Sequence, residues 1–162
     1  MSMQSGPDPK ELPMQTVTAY LSVDGAAAAI DFYSRAFGAK EQYRLLMGDG
    51  RIGHAEIVIG DTLLMLADEF PEMDILGPLQ RGGTSASFTV EVDSVDALDR
   101  MWADAVAAGA TVQSEPIDQF YGYRSGALVD PFGHRWGIQT KLENVSPEEM
   151  QRRMEAMGDG TS

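Results

Sequence analysis

Cysteine is absent from this chain. Its absence excludes disulfides, thiolate metal centres and cysteine nucleophiles together, and it fits a reducing, cytoplasmic setting. Basic residues are scarce as well: 12 Lys and Arg stand against 25 Asp and Glu, a formal net charge of −13. Phosphate backbones demand clusters of Lys and Arg, so nucleic acid is not an expected partner. The acidic balance instead favours solubility and attracts cationic ligands. Long apolar runs are also missing. Stretches such as Leu63–Ala67 are far too short to span a bilayer, so no membrane partner is expected. Met1–Pro13 lacks the basic start and apolar stretch of a signal peptide, and it reads as part of a disordered lead-in over residues 1–15. No G-x-S-x-G elbow, P-loop or dinucleotide fingerprint occurs.

What the chain does contain is a repetition. A pattern of strand, helix and three strands runs from about Val17 to Leu66 and recurs from about Ala86 to Gln139. Phe37-Gly38-Ala39 closes the first helix and Ala108-Gly109-Ala110 the second. Gly60-Asp61 opens one final strand, and Gly133-His134 opens the other. Each unit leaves a sheet face to bury, so fusing two of them predicts a cleft suited to a small molecule.

In the first unit, Val17–Val23 reads as a strand through its β-branched and aromatic residues. Ala26–Phe37 carries one apolar stripe at Ala26, Ile30, Tyr33 and Phe37, the spacing of a helix. Strands follow at Lys40–Met47, Ile52–Ile59 and Thr62–Ala67, and Asp68–Gly83 reads as a connector without periodicity. The second unit has a strand at Ala86–Val92 and a helix over Val95–Ala108, with Leu98, Met101, Ala105 and Val106 inward. Strands at Thr111–Glu115, Ala127–Val129 and Arg135–Gln139 complete it. A last helix spans Ser146–Met157. Ser146 is its cap, Pro147 stands at the first helical position, and Glu149 is placed to close a capping box. Met150, Met154 and Met157 form its apolar stripe, expected to dock on the domain or on a second subunit.

Three segments, A-Y-L-S-V-D-G-A-A-A-A-I-D-F-Y-S-R-A-F-G-A, G-R-I-G-H-A-E-I-V-I-G-D and Y-R-S-G-A-L-V-D-P-F-G-H-R-W, resemble the vicinal oxygen chelate superfamily of glyoxalase I, bleomycin-resistance proteins and extradiol dioxygenases. G-R-I-G-H-A-E and D-P-F-G-H-R-W followed by V-S-P-E-E-M look like the glyoxalase-like branch named after a phosphonate-utilisation protein. The resemblance covers roughly residues 16–157. It implies an α+β fold of two tandem βαβββ modules, about 16–68 and 84–142, in a single domain over 16–142. They make a curved open mixed sheet, and a C-terminal helix over 143–158 follows. It also implies a homodimer, with the ligand cavity between modules or subunits, and a divalent metal in the enzymatic members.

Carried onto this chain, the family's first-strand ligand positions fall at Thr18 and Ser87, and its last-strand positions at Leu64 and Gly137. None is a His or a carboxylate, and hydroxyls are poor ligands for transition metals. Gln139 is a lone oxygen donor two residues beyond Gly137. No metal site and no cofactor is therefore expected, although a divalent metal is the family norm.

Two other groups of residues could carry function. His54 and Glu56 share one strand face and are candidates for a general base and its orienting carboxylate. The same spacing also suits a polar face without chemistry. The second group, Gln119, Tyr121, Tyr123 and Arg124, offers aromatic surface and one guanidinium for a planar or partly anionic ligand, and Trp136 offers a further wall. These residues equally suit packing, with Arg124 paired to Asp130. The favoured expectation is a metal-independent small-molecule-binding protein that sequesters a drug or metabolite. The alternatives are a glyoxalase-type lyase or isomerase with an altered or absent metal site, and a dimeric accessory module.

Overall fold

A computed structural model describes residues 15–158, so the lead-in expected over 1–15 lies, apart from Gln15, outside the described residues. The first module runs β1 (Tyr20–Val23), α1 (Ala26–Phe37), β2 (Lys40–Leu46), β3 (Ile52–Ile59) and β4 (Thr62–Asp68). After α2 (Pro78–Arg81), the second module repeats the plan: β5 (Ser87–Val92), α3 (Val95–Ala108), β6 (Thr111–Asp118), β7 (Tyr123–Val129) and β8 (Arg135–Lys141). α4 (Pro147–Gly158) ends the described chain.

Each module forms its own four-stranded mixed sheet, ordered β1-β4-β3-β2 and β5-β8-β7-β6. The edge pairs β1/β4 and β5/β8 are parallel and the remaining pairs antiparallel. The expected two-module α+β architecture is present. Each sheet has one face covered by its helix, and α1 and α3 pack on each other, so the two modules share one apolar core. The opposite face of each sheet stays open. β2 and β6 are exposed along most of their length, and Leu46 retains 65% of its accessible surface. The sheets therefore do not close on each other within one chain. Among the described residues no helix is long and apolar enough to cross a membrane.

Local chemistry explains the helix ends. Gly25 enters α1 at φ 99°, a conformation glycine adopts freely, but it has no side chain to cap the helix. Asp68 serves instead from the end of β4: its Oδ1 accepts from the N–H groups of Gly25 and Ala26, and its Oδ2 from that of Ile52. Ser94 caps α3 through Oγ, which accepts from Ala97 N–H. Ser146 caps α4 in the same way. The capping box is only half made, however, because the Glu149 carboxylate turns to Arg152 and Arg153. Those guanidinium groups hold it down to about 2.

Two sequence expectations are corrected. Val106 is 42% exposed, and Trp102 takes the inward place. Its ring lies so close to Gly126 that a Cβ there would meet it at 2.6 Å. The connector is more ordered than its composition suggests, with a 3-10 turn at Pro71–Met73 before α2. Arg51 fastens this segment, pairing with Glu72 and lying 4.3 Å over the Phe70 ring.

The modules are joined by a buried carboxylate. Asp130, 4% exposed, stands in the β7–β8 turn. Its Oδ1 accepts from the N–H groups of Phe132 and His134. Its Oδ2 accepts from Tyr33 Oη of α1 at 2.5 Å and Trp136 Nε1 at 2.9 Å. His134 adds a second link, its Nε2 lying 3.0 Å from the Ser22 carbonyl of β1. Around them, Tyr33, Phe37 and Trp136 pack ring to ring.

Replacing Asp130 with Ala strands four donors in an apolar site, and a loss of about 3 kcal/mol in urea unfolding is expected. Loss of under about 1 kcal/mol would show the hub to be dispensable. Burial, and then the Asp130 charge, push the Tyr33 phenol well above its ordinary value of 10.0. The folded state thus holds this proton to higher pH than the unfolded chain, so this contribution is present below about pH 10 and is lost as pH rises further. Tyr33→Phe is expected to show a flatter decline of the urea midpoint above pH 10 than the parent protein.

Candidate functional site

The outward residues of the first sheet follow from its register. Tyr20 of β1 pairs with Met65 of β4, Met65 with Glu56 of β3, and Glu56 with Tyr43 of β2, so these four side chains form one cross-strand row. His54 stands two residues before Glu56 on the same face, as its spacing predicts. Its Nδ1 lies 2.9 Å from Tyr20 Oη, and its Nε2 lies 3.3 Å from Glu56 Oε1. The rings of Tyr20 and Tyr43 flank the imidazole, with centroids at 5.5 and 5.8 Å. Desolvation raises the Tyr20 phenol. Desolvation raises Tyr43 too, followed by its hydrogen bond to Glu56. The pair expected from the sequence is thus the middle of a four-residue network. Tyr20 and Tyr43 were missed because strand pairing, not sequence spacing, brings them in.

The outer face of the second sheet is different in kind. Small and hydroxyl-bearing residues of β5, β7 and β8 line a shallow hollow of about 210 Å³ that includes Thr89, Tyr121, Ser125, Gly137 and Gln139. Tyr121 Oη and Ser125 Oγ lie 3.0 Å apart, and Gln139 Nε2 donates to Glu91 Oε1. Beside it, between the modules, is a larger hollow of about 790 Å³. Phe37, Leu64, Phe88 and Met101 give it apolar walls, and Asp61 and Glu91 give it acidic ones. Both hollows are bordered by Ser87, Thr89 and Trp136.

The expected binding residues are divided between the two sides of this sheet. Tyr121 lines the smaller hollow, and Tyr123 packs beside it with centroids 5.8 Å apart. Gln119 shapes the preceding turn through its backbone, which bonds to Tyr123 and Gly122. Trp136 borders both hollows but is 3% exposed, its indole committed to Asp130 and the core. Arg124 pairs with Asp118 at 2.6 Å, not with Asp130. Strand alternation turns it to the helix side, where it also feels Asp99 of α3.

The donors at the family's metal positions do not fit a divalent cation. Leu64 is buried in the core, Gly137 has no side chain, and Ser87 and Thr18 bring hydroxyls only. Among the described residues no three His, Cys, Asp or Glu side chains converge as a metal-binding group.

Tandem βαβββ modules, each with a helix-covered inner face and an open outer face, define the class of protein. The chain belongs to the Glyoxalase/Bleomycin resistance protein/Dioxygenase superfamily, whose family model matches residues 15–138. It is 40% identical over 144 residues to the uncharacterized protein Rv0887c of Mycobacterium tuberculosis, covering 87% of this chain and 83% of the relative. Protein PA1353 of Pseudomonas aeruginosa has a similar structure, with a TM-score of 0.67 at 25% identity over 80% of this chain and all of that one. A PhnB protein of Bacillus cereus, described as a putative 3-demethylubiquinone-9 3-methyltransferase, shares the fold. Its TM-score is 0.61 at 18% identity, covering 80% of this chain and all of that one.

Proposed function

We propose that this protein is a metal-independent small-molecule-binding protein that holds its ligand in the hollow between the modules and works as a homodimer. The observation that carries this reading is the hollow itself. Its volume of about 790 Å³ falls within the usual range of ligand pockets. Apolar walls from Phe37, Leu64, Phe88 and Met101 supply burial, and Asp61 and Glu91 supply a negative field in a chain that is already strongly acidic. This combination selects a cationic, partly apolar molecule. The smaller hollow by Tyr121 and Ser125 adjoins it across Ser87 and Thr89, and offers hydroxyls to a polar end of the same ligand.

A cationic acridine dye, followed by tryptophan fluorescence, is expected to bind the parent protein. Asp61→Asn with Glu91→Gln should weaken it about two- to fivefold, the worth of exposed charges. An uncharged apolar dye should not notice the change. Arg124→Ala should leave both affinities alone, since its guanidinium lies on the helix side. Equal affinity of the cationic dye for the parent and the doubly neutralised protein would sink this choice of ligand.

The homodimer reading rests on surfaces left without cover: the open sheet faces, and α4, in which no residue is buried and whose Met154 and Met157 stand exposed. A second copy would supply the missing wall. Sedimentation at micromolar concentration is expected to give twice the subunit mass, and Met154→Glu with Met157→Glu to shift it toward the monomer. A parent protein that sediments only as a monomer rules the dimer out.

A further inference from the structure

The network on the first sheet lies apart from both hollows, and its order has a chemical consequence. Nε2 of His54 faces a carboxylate oxygen, so it is the nitrogen that carries the proton. Nδ1 is then left as an acceptor, and among the described residues its hydrogen-bond partner is the Tyr20 hydroxyl at 2.9 Å. The phenol donates to the imidazole, and the imidazole donates to the carboxylate. Nucleophile, base and orienting acid stand in sequence, the arrangement that activates hydroxyl nucleophiles on unrelated folds.

We propose that Tyr20 is a base-activated nucleophile, served by His54 and oriented through Glu56, that attacks electrophilic carbonyl compounds reaching the outer face of the first sheet. The reading does not depend on ligand binding between the modules, since none of its residues lines that hollow.

Oη of Tyr20 forms a bond to the carbonyl carbon of an activated ester, and the phenolic proton passes to Nδ1 of His54. The resulting imidazolium keeps its Nε2 proton toward Glu56, which stabilises the new charge. The C–O bond to the leaving group breaks, and its oxygen takes the electron pair and the Nδ1 proton of the imidazolium, so the group departs as the alcohol and His54 is neutral again. Tyr20 is left acylated. Water then adds to the acyl-tyrosine, which is itself an aryl ester, releasing the acid and restoring the phenol. No oxidant, reductant or metal is needed. Because desolvation raises the Tyr20 phenol, a standing phenolate is disfavoured, and the proton has to leave as the bond forms.

Tyr43 makes the test internal. It lies on the same face and is comparably open, 41% exposed against 50% for Tyr20. Its hydroxyl, however, turns to the Glu56 carboxylate rather than to an imidazole. A carboxylate is the weaker base, so Tyr43 reports the reactivity of a phenol that exposure alone provides.

The experiment treats the intact protein with p-nitrophenyl acetate and maps acetyl groups by mass spectrometry of its peptides. Tyr20 is expected to be acetylated at least about tenfold faster than Tyr43, the lower range of general-base assistance. His54→Gln should bring the two rates together, and circular dichroism should confirm that this variant is folded. Glu56→Gln should slow acetylation of Tyr20 without moving the label to another residue. Tyr20→Phe keeps the ring and removes the nucleophile, so the early release of p-nitrophenolate should vanish. Equal acetylation of Tyr20 and Tyr43 in the parent protein overturns the proposal, as does a Tyr20 advantage that survives in His54→Gln.

Discussion

The buried carboxylate of Asp130 is the interaction on which the joined modules depend. An ionised group out of water is tolerated only when its lone pairs are satisfied, and here two backbone and two side-chain donors converge on it. The backbone donors belong to its own turn and fix the reversal between β7 and β8. The Tyr33 hydroxyl comes from the other module, so the same carboxylate that shapes a local turn also pins α1 against the second sheet. Together with the packing of α1 on α3 and the link from His134 to Ser22, this carboxylate holds one module against the other and borders the hollow between them through Trp136. Asp68 plays a smaller version of the same part in the first module, tying the start of α1 to β3 and β4.

Two modules of the same topology present outer faces of different chemistry. The first face has a tyrosine, a histidine and a carboxylate linked by hydrogen bonds and flanked by a second tyrosine. The second face has hydroxyls, amides, a glycine and the Arg135 guanidinium, and the Glu91 carboxylate beside Gln139 is bonded to that amide. The backbone plan sets where an outer residue stands, and the residue types decide what it can do there. One face carries a hydrogen-bonded line of titratable groups, and the other a hollow lined by hydroxyls and amides.

The repeat was legible because it rests on local signals. Gly38 and Gly109 stop helices, the Gly60-Asp61 and Asp130–Gly133 turns separate strands, and an i, i+4, i+7 stripe marks α1. The family resemblance lay in the same segments. Errors arose where neighbours in space override the stripe. Val106 falls on the apolar side by spacing, yet Trp102 is the residue for which Gly126 leaves room. Glu149 sits where a capping box wants it, yet two arginines one turn later attract its carboxylate more strongly. In the candidate site, His54 and Glu56 were readable as an i, i+2 pair on one face. The order Tyr20–His54–Glu56 was not, since β1 and β3 are separated in the sheet by β4 and in the chain by a helix and a strand.

By itself, then, the sequence determined what is local or compositional: two βαβββ units, a capped C-terminal helix, an acidic surface, and no cysteine chemistry. These rest on periodicity, turn residues and residue counts, none of which needs a partner distant in the chain. The tertiary structure alone decided which polar groups meet. It placed Tyr33 on Asp130, Tyr20 on His54, and Arg124 on the helix side of its sheet with Asp118. Such pairings depend on strand register and helix packing, where one residue of displacement turns a side chain to the opposite face.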